Sequence, residues 1–172
     1  MAGRAPARVL DTVVVIAAAV PALTLLAVIW LAVPALPPLP LGVVVLGALP
    51  GIALLITSDR LAKGLSKRGI DGRPLVAEHW RAVLTAAAAM LAVLAIVVIT
   101  VKATGTVNWP AGQPTETGGR YYLNVHGGLL PVTEPEYRQA LKSSVLIFLS
   151  GGLVLELAAL ARLGLMGKKL NP

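Results

Sequence analysis

One carboxylate, Glu156, stands near the middle of a long apolar run and is the residue best placed to do chemistry. An ionised carboxylate at the centre of a lipid-embedded helix costs at least about 2.5 kcal/mol. Such a group is either a proton- or cation-binding site on a transport path, or a protonated acid bonded to a neighbouring helix. Gly152 at i−4 and Ala159 at i+3 share its helix face. Small neighbours let a second helix approach closely, so Glu156 is expected to face protein and not lipid. Arg162 lies about 9 Å further along the axis and off that face, which argues against direct pairing.

The other candidates are weaker. Tyr121, Tyr122, His126, Glu134, Glu136 and Tyr137 fall close together in the most polar stretch, where they could meet a ligand, a metal or a partner protein. Tyr121, Leu123 and Val125 alternate on one strand face, so part of this group is expected to be packing. The glutamates suit a helix start. Gly47 and Gly51 make a GxxxG pair interrupted by Pro50, and with Gly152 they are candidates for close helix packing, within one chain or between copies. Pro21 and Pro50 fall near the middles of their runs, where the expected consequence is a kink. Asp11, three residues after Arg8, reads as a local ion pair or helix-start cap.

Several chemistries have no residues to carry them. There is no cysteine, and therefore no disulfide, thiolate or Cys-ligated metal. The two histidines, His79 and His126, are expected on opposite sides of a membrane, which denies a single chain a two-histidine site. No H-E-x-x-H, nucleotide-binding P-loop, G-x-S-x-G elbow or intramembrane Ser-His pair occurs. Neither a cofactor nor a metal is expected, and the chain is not expected to be an enzyme.

The elements that position these residues follow from composition. Of 172 residues, 56% are hydrophobic and 13% charged, against about 25% charged in a soluble domain. The apolar residues concentrate in four blocks, at about 9–33, 41–57, 82–101 and 144–166. A block of roughly 18 or more apolar residues spans a hydrocarbon core about 30 Å thick. The expected fold is all-α: one membrane domain, a bundle of four transmembrane helices with a small extracytoplasmic β-hairpin. The second block is the shortest, though it holds no charge.

Charge sets the orientation. Eleven Lys and Arg residues fall before the first block, between the second and third, and at the end of the chain, against four on the other side. The positive-inside rule then places both termini in the cytoplasm of a cell whose plasma membrane the chain crosses. Trp30, Trp80 and Trp109 fall at expected interfaces. The first block is longer than a signal-peptide core and is followed by another span, so it reads as a retained helix. The net charge of +7 flanks the apolar blocks instead of forming a stripe with interleaved aromatics, which excludes nucleic acid as the expected partner.

The connections differ in kind. Residues 34–40, PALPPLP, are expected to make a stiff turn. The cytoplasmic loop 58–81 is basic enough to favour anionic lipid headgroups and opens on a short interfacial helix ending at Gly69, and Pro74 is placed to start the third helix. In the extracytoplasmic loop 102–143, the first half is expected to be irregular. Strands follow at 120–124 and 129–132 about a glycine turn. Thr133 and Glu136 then stand at capping-box spacing and start the helix that enters the fourth span.

The stretch GRYYLNVHGGLLPVTEPEYRQAL resembles a pattern in small uncharacterised bacterial multi-pass membrane proteins, with its YYL run, His-Gly turn and acidic-Tyr helix start. The resemblance covers this segment alone and implies no activity. Two function classes remain. One is a non-catalytic membrane accessory or interaction protein, with a membrane protein or a second copy as partner. The other is a small oligomeric transporter or channel using Glu156.

Overall fold

The computed structural model describes residues 4–33, 35–37, 39, 53–54, 56–57, 60, 78–104 and 112–170, with the side chains of 4–11 and 170 excepted. Three helices there are long and apolar enough to cross a membrane. They are α1 (Arg4–Ala32), α2 (Trp80–Ala103) and α3 (Glu134–Leu170). Four were expected. The expected second span lies mostly outside the described residues, although 53, 54, 56 and 57 are helical. Of the expected interfacial helix, residue 60 alone is among them and is helical; Pro74 lies outside them, and α2 begins at Trp80.

The helices form in long apolar blocks, because a helix satisfies its own backbone polar groups without help from water. Their order in space comes from two core clusters. Ala17, Ala87, Leu160, Leu163 and Met166 gather in one. Leu25, Val28 and Leu31 meet Leu94, Val101, Val145 and Leu149 in the other. Residue numbers rise from the first cluster to the second in α1 and α2, and fall in α3. Thus α1 and α2 run parallel and α3 runs antiparallel to both.

The central helix is α3, which packs against α1, α2 and the sheet. By contrast α2 buries one narrow stripe, Ala87, Leu94 and Val101, and leaves Leu91, Ile96 and Ile99 exposed. Phe148 and Leu155 on α3 and Leu23 and Leu26 on α1 are exposed as well, an outer surface suited to acyl chains.

Strands β1 (Gln113–Thr117), β2 (Arg120–Val125) and β3 (Gly128–Pro131) form an antiparallel sheet in the order β1-β2-β3. The expected two-stranded hairpin therefore gains a strand, inside the half of the loop read as irregular. Thr115 and Thr117 are β-branched, and Pro114 is tolerated because β1 is an edge strand. Both connections are two-residue turns with positive φ at each central position: Gly118 and Gly119, then His126 and Gly127. That geometry matches the right-handed twist of the strands they join.

Candidate functional site

Glu156 is fully buried, at 0% exposure, on the α3 face turned toward the other helices. Gly152 and Ala159 are buried as well, and their helix positions put them on the same face. Across the interface, the Thr24 hydroxyl on α1 lies 3.2 Å from Oε1 of Glu156 and 3.1 Å from the carbonyl of Val20. One hydroxyl proton serves both oxygens in turn. If it goes to Val20, a protonated Glu156 donates to Thr24 and completes a relay from α3 to the α1 backbone. The other oxygen, Oε2, is buried and has no hydrogen-bond partner among the described residues. A neutral acid tolerates that orphaned oxygen far better than a carboxylate does. Arg162 is exposed.

Thr24 was not among the residues singled out from the sequence. Its signal was available: a buried hydroxyl in an apolar helix is a natural partner for a carboxyl on the next one. Pro21 is also buried, one turn before it. Lacking an N–H, Pro21 cannot bond the carbonyl of Ala17. The side chain of Asp11 lies outside the described residues, as do Gly47, Gly51 and Pro50.

The external candidates separate. Tyr121 and Tyr137 meet with ring centroids 4.8 Å apart, which docks β2 onto the first turn of α3. Leu123, two residues on, is buried on the same side. Tyr122 points to the opposite face by strand alternation, with Leu129 beside Asn124. His126 occupies a turn position with φ 51°, and Asn124 Oδ1 accepts the N–H of Gly127 across that turn. No group of His, Cys, Asp and Glu suited to a metal occurs among the described residues. The expected cluster is therefore a packed pair plus residues facing other ways.

Glu136 caps the helix. Its Oε2 accepts from the Thr133 backbone N–H and hydroxyl, each at 2.8 Å. These two bonds hold its carboxyl below the usual carboxylate range. Nearby, Arg138 pairs with Glu134.

Lys142 has a role that its sequence position did not reveal. Its ammonium donates to the carbonyls of Val33 at 2.6 Å and Leu36 at 2.9 Å. It thereby serves the end of α1, where a cation suits the helix dipole. The Trp30 indole N–H donates to Pro37 O at 3.2 Å, within the stretch 34–40 expected to turn.

At the other end of the bundle, Arg81 and Lys168 both lie over the Trp80 ring, 5.3 Å and 5.6 Å from its centroid. Gly164 brings α2 and α3 together nearby, since a Cβ there would come within 2.8 Å of Leu84 Cδ2.

Comparison with family models, curated proteins and solved structures finds no match to this chain.

Proposed function

We propose that this chain is a non-catalytic accessory protein of a bacterial plasma membrane, crossing it four times and holding a small folded platform on the outer surface for a membrane protein partner. The observation that carries this reading is the continuity of α3. One unbroken helix runs from the docked sheet through the bundle to the far side, Glu134–Leu170, about 55 Å at 1.5 Å per residue. The Tyr121–Tyr137 contact ties the sheet to that helix. Leu129 on β3 is 51% exposed and stands on the sheet face turned from α3.

The parallel course of α1 and α2 supports the fourth crossing. A chain leaving α1 at the sheet end must return across the bilayer before α2 begins at the other. Residues 41–57 are the uncharged apolar run available for that return. Leu54 within them packs in the cluster of Ala17, Ala87 and Leu160. Arg81, Lys168 and Lys169 mark the end opposite the sheet, which favours cytoplasmic termini. Anionic headgroups are the natural company of the basic loop 58–81.

A photoreactive phenylalanine analogue placed at Leu129 in living cells tests the platform. It is expected to crosslink to one discrete membrane protein or to a second copy, while the same analogue at lipid-facing Phe148 does not. Absence of any protein adduct from Leu129 would overturn the reading. A second reading is favoured by the orphaned Oε2 of Glu156: a small oligomeric transporter using that carboxyl as a proton or cation site. Flux in reconstituted vesicles that Glu156→Gln abolishes would establish it over the accessory role.

A further inference from the structure

The end of the bundle opposite the sheet carries an arrangement that the helix packing does not require. Trp80 opens α2, and Lys168 lies in the last turn of α3. Arg81 from α2 and Lys168 from α3 converge on the same indole, at 5.3 Å and 5.6 Å. Two like charges repel when brought to one ring, and among the described residues neither makes an ion pair. The ring attracts each cation through its quadrupole, which offsets part of that repulsion. Both cationic residues remain exposed, and so does Lys169 beside them.

The place matters as much as the charge. Trp80 precedes the apolar run of α2, and Lys168 follows that of α3, so both stand where hydrocarbon gives way to headgroups. An indole prefers that level, with its apolar body inward and its N–H toward the polar zone. Gly164 draws the two helices close one turn below Lys168, so residues of both helices reach the same ring. The positive end of the α2 dipole opens at the same point and adds to the potential there.

We propose that this junction of α2 and α3 seats the phosphate of an anionic phospholipid. The guanidinium of Arg81 and the ammonium of Lys168 donate charge-assisted hydrogen bonds to the phosphate oxygens, and Trp80 supports the glycerol backbone. The site is distinct from the loop-wide attraction of 58–81, because it is built from two helices and one ring. It rests on the reading that this end lies at a membrane surface.

Native mass spectrometry of the full chain, released from detergent containing equal phosphatidylglycerol and phosphatidylcholine, tests it. Retention of phosphatidylglycerol is expected to exceed that of phosphatidylcholine by roughly fivefold for each cation engaged. Arg81→Gln with Lys168→Gln should remove the preference. Lys102→Gln with Arg138→Gln removes the same charge near the sheet and should leave it in place. Equal retention of the two lipids by the unaltered chain would overturn the proposal, as would equal loss in both variants. Displacement of the lipid by inorganic phosphate would overturn the assignment to a lipid. None of these results touches the four-crossing reading, which labelling of introduced cysteines decides separately.

Discussion

Lysine in place of Glu156 is expected to prevent the bundle from assembling, whereas glutamine is expected to leave it nearly unchanged. The position is fully buried between α3 and α1, with Thr24 as its polar contact among the described residues. An ammonium there must shed its water with a single hydroxyl oxygen to receive it. The cost of a lysine at a helix centre is about 2.5–3.5 kcal/mol even where the chain can adjust, and a packed face with Gly152 and Ala159 gives little room for adjustment. Glutamine keeps the shape and can still donate to Thr24 Oγ1. Interhelical hydrogen bonds in membranes average about 0.6 kcal/mol, so even a worsened bond changes stability by less than about 1 kcal/mol. Thermal unfolding in mild detergent, followed by size exclusion, separates the two outcomes. A glutamine variant as damaged as the lysine variant would show that the carboxylic acid itself is required.

The second large effect is expected at Gly164. A Cβ at this position would stand 2.8 Å from Leu84 Cδ2, 2.9 Å from Leu84 Cγ and 3.3 Å from Val83 Cγ1. Leu84 can turn aside for an alanine. Valine branches at Cβ and is held to few rotamers in a helix, so Gly164→Val has to push α2 away from α3. Overpacking of this kind costs about 1–3 kcal/mol. Because α2 is fixed by a single narrow stripe, the loss falls on its main contact. Gly151→Val is the control: nothing lies within 4 Å of the Cβ it would add. The expected result is a clear fall in unfolding temperature for Gly164→Val and none for Gly151→Val. Equal behaviour of the two would mean that α2 and α3 do not meet closely at Gly164.

These two sites differ in how far the sequence disclosed them. Glu156 could be placed on a buried face from its neighbours alone, because small residues one turn away on each side mark where another helix approaches. Its partner could not be named, since several hydroxyls lie in the apolar runs and only the helix arrangement selects Thr24. Gly164 gave no signal: in a chain this rich in glycine and alanine, one more glycine stands out only when Leu84 is seen against it. The run 82–101 became α2 with two residues added at each end, and 144–166 became the core of α3, which begins ten residues earlier, because a long apolar run suffices to mark a helix able to cross a membrane. Thr133 and Glu136 started α3 at the spacing their side chains require.

β1 was missed for a specific reason. Gly118-Gly119 sits between PTET and RYYL, which is a two-residue hairpin signal, yet the surrounding prolines and glycines outweighed it in the reading of that stretch. The placement of Lys142 was hidden as well. Its charge counted against the outer side in the orientation tally, while in space it serves the carbonyls at the end of α1. A cation bound this way weighs little in choosing an orientation.

The sheet and the Trp80–Lys168 end are proposed to lie on opposite sides of a membrane, with four crossings between the termini. The absence of cysteine makes this directly measurable. Single cysteines at Thr117 in the sheet, Ser66 in the basic loop and Lys169 near the end of the chain are treated in intact cells with a membrane-impermeant maleimide. Thr117→Cys is expected to be labelled at once, and Ser66→Cys and Lys169→Cys only after permeabilisation. Labelling of Thr117→Cys and Ser66→Cys from the same side would contradict it.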